Sequence, residues 1–211
     1  MKPHAGQPIE RKGPAPSEAR GVMLMIHGRG ASSDDILALA DEFDDLGLHF
    51  VAPQASGNAW YPQRFIAPIK QNEPHLSSAL WVMDRILDDA VSEGVPYDRL
   101  FLLGFSQGAC LSLEYAARNP RRYGGVFGLS GGLIGPEGAL PKHTGDLGQT
   151  PLFLGCSDVD FHIPKARVEE SAEQFRQLNA QVTAKLYPGM AHTVVQDEIE
   201  IIRRLISGAI D

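Results

Sequence analysis

Only two cysteines occur among the 211 residues, Cys110 and Cys156, too few for a disulfide framework and not spaced as a metal-ligand set. No stretch is apolar for long enough to span a bilayer. Residues 1–20 are rich in Pro, Gly and charge and lack the apolar run of a secretory signal, so the expected location is cytoplasmic. Basic residues are in deficit. Nineteen Lys and Arg against 26 Asp and Glu give a net charge of -7, which repels a phosphate backbone, and no basic cluster offsets it. Nucleic acid is therefore not an expected partner. Internal repeats and low-complexity segments are missing too, and 43% hydrophobic with 21% charged residues is ordinary globular usage, which excludes fibrous and disordered classes.

What is present, from residue 20 onward, is an alternation of short apolar runs with longer segments of helical period. That pattern predicts an α/β fold with a mostly parallel sheet covered by helices on both faces. The strand candidates are Val22–Ile26, His49–Ala52, Leu100–Gly104, Gly125–Leu129, Pro151–Leu154 and Thr183–Tyr187. The helix candidates are Ser33–Leu46, Ser77–Glu93, Gln107–Arg118, Lys165–Asn179 and Val194–Ser207, with Ser33 as a cap and Gly47 and Gly94 just past helix ends. In the second helix Leu80, Met83, Leu87, Ala90 and Val91 share one face and read as core. Residues 21–211 form one domain in this reading, and residues 1–20 an N-terminal extension with room for a short added strand. The long connections Gly57–Leu76 and Gly131–Thr150 are of a length that compact domains keep for function or mobility.

The chemistry begins where Leu100–Phe105 runs into Gly104-Phe105-Ser106-Gln107-Gly108. A strand, a sharp turn and a helix then expose Ser106, and the flanking glycines are needed because so tight a turn leaves no room for side chains. Ser106 also lies at a helix N-terminus, where orphan N–H groups favour developing negative charge.

A serine hydroxyl needs a base, and the base needs a carboxylate that orients it and stabilises its charge. After a nucleophile turn of this kind the acid follows and then the histidine, each on a loop beyond a strand. His192 falls between the last strand and the last helix, where the base belongs. His143 reads as a solvated loop residue, and His162 as structural or substrate-facing. The acid loop offers Asp158 and Asp160, and spacing alone does not choose between them. For the oxyanion, one N–H donor is that of Gln107. The other comes from the His27-Gly28-Arg29-Gly30 turn, where Arg29 is the candidate. Trp60, Tyr61 and Phe65 are candidates for a substrate-pocket wall, together with His162, or they simply pack the loop onto the sheet.

With those motifs in place, the chain resembles the phospholipase/carboxylesterase family of α/β-hydrolase folds, which includes acyl-protein thioesterases and small bacterial carboxylesterases. The resemblance runs from about residue 20 and rests on four motifs in order: His27–Gly30, Gly104–Gly108, Asp158–Pro164 and Gly189–His192. It implies that Asp160, the second aspartate of its loop, is the catalytic one, and that no cofactor or metal is used. The chain departs from the family in carrying Arg29 where many members have Leu, and Phe161 where Pro is frequent. The expected activity is hydrolysis of a small-molecule carboxylic ester through an acyl-serine. A lysophospholipase or an acyl-protein thioesterase would share the same residues. A peptidase of this fold is disfavoured by the short chain, and a catalytically silent binding module is the reading from another class. Homodimerisation stays open, and Cys110 is expected to face the core.

Overall fold

A computed structural model describes residues 2–211. Seven strands are formed: β1 (Ile9–Lys12), β2 (Gly21–Ile26), β3 (Leu48–Pro53), β4 (Leu100–Phe105), β5 (Gly125–Leu129), β6 (Pro151–Ser157) and β7 (Gln181–Tyr187). Five helices accompany them: α1 (Ser33–Leu37), α2 (His75–Ser92), α3 (Gln107–Arg118), α4 (Lys165–Gln177) and α5 (Gln196–Ile210). The strands make one sheet in the order β1-β3-β2-β4-β5-β6-β7. β1 runs antiparallel to β3, with Ile9 opposite Pro53, and every other pairing is parallel. This is the α/β-hydrolase arrangement.

Two cores lie against the two faces, and strand alternation sorts residues between them. Val22, Leu24 and Ile26 of β2 pack on the side of α2, α3 and α4, with Met83, Leu111 and Phe175. Met23 and Met25 point the other way, towards α1 and α5, among Phe43, Phe101, Phe127 and Ile202. Each such side chain contributes about 1.5–3 kcal/mol on leaving water. Burial on both faces explains why the central strands read as unbroken apolar runs. On α2, Met83, Leu87 and Ala90 are buried as the periodicity predicts, while Leu80 and Val91 are only partly covered.

Local details differ from expectation in the segment after β2. The N-cap of α1 is Ser32 rather than Ser33: its hydroxyl accepts from the Asp35 N–H at 3.2 Å while its own N–H donates to Asp35 Oδ2 at 2.7 Å. The helix expected over Ser33–Leu46 is five α-helical residues followed by a tighter 3₁₀ run, Ala38–Leu46. Its buried residues Ala40, Phe43 and Leu46 recur every third position, which suits three residues per turn. Gly47, at φ 68°, ends it.

The layout places the loops that follow the C-terminal ends of β2, β3, β4, β5, β6 and β7 at one edge of the sheet. In open parallel sheets ligands bind in the crevice beyond those ends.

Candidate active site

Ser106 joins β4 to α3 with φ 54° and ψ −116°, a backbone that costs a non-glycine residue about 1–3 kcal/mol. The turn is held by the Ser106 N–H donating to Leu129 O at 2.9 Å and the Cys110 N–H donating to Ser106 O at 3.0 Å. A Cβ on Gly104 would collide with the Gly108 carbonyl, and one on Gly108 with the Ile26 carbonyl. Both glycines are thus required for α3 to sit down on the sheet.

The three side chains singled out from the sequence meet. His192 Nε2 lies 2.9 Å from Ser106 Oγ, and His192 Nδ1 lies 2.6 Å from Asp160 Oδ2. Nδ1 must donate to the carboxylate, which leaves Nε2 as the acceptor facing the hydroxyl. The Asp160 side chain is fully covered, whereas the imidazole side chain keeps 22% of its surface in contact with solvent. The second carboxylate oxygen, Oδ1, accepts the N–H groups of His162 at 2.8 Å and Ile163 at 3.1 Å. Burial alone would raise the Asp160 carboxyl, but the His192 bond and these two N–H groups outweigh it and hold it below the ordinary carboxylate value. Asp158 has a different task. Its Oδ1 accepts from the Gly189 N–H at 2.8 Å, and its N–H donates to Tyr187 O, so it fastens the β6 loop to the β7 loop.

Gln107 opens α3, so its N–H has no helical carbonyl to bond. The β2 loop comes close as well: a Cβ on Gly28 would lie 3.5 Å from Ser106 Cβ. Arg29 follows immediately.

A cavity of about 380 Å³ opens beside Ser106 and His192, with Tyr61, Phe65, His162 and Arg29 on its walls. Trp60, expected there, is not among the lining residues. It is wholly buried behind the wall, its Nε1–H donating to His27 O at 2.9 Å and its ring 5.0 Å from that of His27. Cys110 is buried, as expected of a core residue, yet it also reaches the cavity. Burial pushes its thiol up to about 12, so it is held as an unreactive thiol. His143 is not solvated. Its ring is only 10% exposed, 3.8 Å from the buried Glu114 carboxylate, and burial pulls it below the ordinary histidine value.

Several contributors carried no sequence signal. The Arg29 guanidinium donates to three consecutive carbonyls, those of Tyr61, Pro62 and Gln63, at 2.8, 3.1 and 2.7 Å. The Gln107 side chain accepts from the Trp60 N–H and donates to Tyr61 O, both at 2.8 Å. Asn72 accepts the Gln63 N–H at 2.8 Å, and the buried His4 ring reaches Trp60 O at 2.9 Å. The wall segment 60–63 is therefore fixed from four directions.

Glu198 is the other surprise. It is fully buried in the first turn of α5, below the His192 loop, where Oε2 accepts the Val195 N–H at 3.0 Å and Oε1 has no partner. Burial pushes its carboxyl from 4.5 up to about 7, against the opposing pull of the Val195 N–H. As pH rises from 4.5 towards 7 the unfolded chain releases this proton while the folded chain keeps it, so stability falls across that window and levels off above it. Glu198→Gln removes the penalty. Its stability relative to the native chain, from urea titrations, is expected to improve by about 2–3 kcal/mol between about pH 4.5 and about pH 8. An unchanged difference would mean that the carboxyl is solvated.

A nucleophile turn after the central strand of an α/β-hydrolase sheet, with a carboxylate-oriented histidine facing the hydroxyl, defines a serine hydrolase as the class of protein. The chain belongs to the phospholipase/carboxylesterase family, whose model matches residues 13–210. It is 28% identical over 213 residues to acyl-protein thioesterase 1 of Saccharomyces cerevisiae, with 89% of this chain and 92% of that protein covered. Among solved structures, a phospholipase/carboxylesterase from Dyadobacter fermentans superimposes with a TM-score of 0.92 at 40% identity, covering 98% of this chain and 99% of that one. The fold is shared further afield by a carboxylesterase from Bacillus cereus, with a TM-score of 0.74 at 19% identity over 97% of this chain and 95% of that one. No helix among the described residues is long and apolar enough to cross a membrane.

Proposed function

We propose that this chain hydrolyses carboxylic esters through an acyl-serine intermediate, with Ser106 as nucleophile, His192 as general base and then acid, and Asp160 as the orienting carboxylate. The observation that carries the reading is the single imidazole placed 2.9 Å from the hydroxyl and 2.6 Å from the buried carboxylate. As Ser106 Oγ attacks the carbonyl carbon, His192 Nε2 takes its proton, and the imidazolium is stabilised by Asp160. The carbonyl oxygen becomes an oxyanion and is met by the backbone N–H groups of Arg29 and Gln107, aided by the N-terminal end of α3. His192 returns its proton to the departing alcohol. Water then enters on the same imidazole, releases the acid and restores the hydroxyl. No step calls on a cofactor.

A thioester carbonyl would be handled by the same groups, and the similarity to a protein named acyl-protein thioesterase 1 favours that second reading. Turnover of a palmitoyl thioester against that of short p-nitrophenyl esters separates the two. The test of the common machinery is covalent. A fluorophosphonate probe is expected to add to Ser106 alone, read by peptide mass spectrometry, and to add far more slowly in His192→Ala. Labelling at another residue would overturn the assignment.

A further inference from the structure

The cavity beside Ser106 has a charge that the chain as a whole does not predict. Acidic residues outnumber basic ones by 26 to 19, yet the residues lining this cavity include Arg29, Arg64 and His162 and no Asp or Glu. Neither arginine has a carboxylate within 4.0 Å among the described residues; the carboxylate at this cavity is that of Asp160, which lies behind the lining residues and is paired with His192. The Arg29 guanidinium is fixed by its three carbonyls and does not have to be ordered when a ligand arrives. Arg64 is exposed at the mouth and spends one N–H on His162 O at 3.3 Å, which holds it over the loop that carries Asp160 and leaves its other donors free. His162 itself stands 5.0 Å from the His192 ring. The Tyr61 hydroxyl is buried within the wall beside the Cys110 thiol.

On the opposite side of His192 the surroundings change. A second cavity there is walled mainly by apolar groups, among them Ile36, Leu39, Phe105 and Val194. The imidazole thus separates a recess lined by two arginines from a mainly apolar one whose one carboxylate is Asp35, and a substrate spanning the two would be oriented by its own charge.

We infer that the preferred substrates are esters that carry a carboxylate, which lodges in the recess of Arg29 and Arg64 while the uncharged remainder lies towards Ile36 and Phe105. This rests on the esterase reading above and narrows its substrate class. Fixed positive charge in a partly walled cleft raises the local concentration of an anion, and Arg64, with donors to spare, offers it paired N–H groups while Arg29 contributes its charge. Two sources of the carboxylate are compatible with the cavity, the acyl part or the alcohol part of the ester.

The experiment is a pH-stat comparison of isosteric pairs. Monoethyl succinate is set against ethyl 4-methylpentanoate for the acyl side, and 3-acetoxypropionate against 3-methylbutyl acetate for the alcohol side, an isopropyl group standing in each neutral ester for the carboxylate. At least one anionic member is expected to exceed its neutral partner in kcat/KM by roughly tenfold. That ratio is expected to shrink in Arg64→Gln, and to shrink in the native chain as salt is added. The pair that shows the preference identifies which side bears the charge. Ser106-dependent hydrolysis of the neutral esters with no anionic preference in either pair, or a preference untouched by Arg64→Gln and by salt, overturns the inference and leaves the esterase reading standing. Absence of Ser106-dependent hydrolysis of all four overturns both.

Discussion

Replacing Ser106 by alanine is expected to lower kcat on p-nitrophenyl acetate by roughly 10⁶-fold, the scale of loss when the nucleophile of a triad is deleted. The variant keeps the fold, because alanine occupies the same turn and the two backbone bonds to Leu129 and Cys110 do not involve the side chain. What disappears is the hydroxyl that lies 2.9 Å from His192 Nε2. Since the triad acts as a unit, Ser106→Ala combined with His192→Ala is expected to be hardly slower than Ser106→Ala alone. Independent, multiplying losses would mean that the histidine serves some other step, and a single variant with native turnover would place the nucleophile elsewhere.

The second large effect belongs to Asp160→Asn, for which a loss of about 10⁴ in kcat is expected. The mechanism follows from which groups Asp160 already holds. Oδ1 must remain an acceptor, because the N–H groups of His162 and Ile163 both point at it. An asparagine therefore turns its carbonyl to those donors and its NH₂ to His192 Nδ1. The imidazole must then accept at Nδ1 and carry its proton on Nε2, where it faces Ser106 as a donor and has no lone pair to offer. Asp158→Asn makes the contrast. Asp158 accepts one N–H, from Gly189, and an amide oxygen does the same. Its loss is expected to stay within about tenfold, consistent with one exchanged surface hydrogen bond. Equal damage from the two substitutions would make Asp158 a partner in the chemistry.

That contrast also marks where the sequence stopped being readable. The nucleophile turn was legible because its requirement is local: Gly104 and Gly108 are needed by backbone collisions within a few residues of Ser106 and with the neighbouring strand. His192 was legible from its place between the last strand and the last helix. Asp158 and Asp160 stand in one loop with the same chemistry, and only the approach of the β7 loop distinguishes them, so resemblance chose where spacing did not. The pocket wall was half legible. Tyr61 and Phe65 line the cavity while Trp60 does not, because an irregular loop has no period from which to read which side chains turn inward. His143 was misread for a related reason. It lies against Glu114, on a helix distant in the chain, a contact that no neighbouring residue announces. The guanidinium of Arg29 was invisible in role, since its partners are carbonyls, which every residue possesses.

Such a grip has an evolutionary side. Arg29, Gln107, Asn72 and His4 grasp residues 60–63 by the main chain alone, so the attachment does not depend on the side chains of Pro62 and Gln63, proline at 63 excepted because Asn72 takes the N–H there. Those two places behave as a socket into which new side chains fit without unfastening anything, and a directed-evolution campaign aimed at altered selectivity would do well to randomise them first.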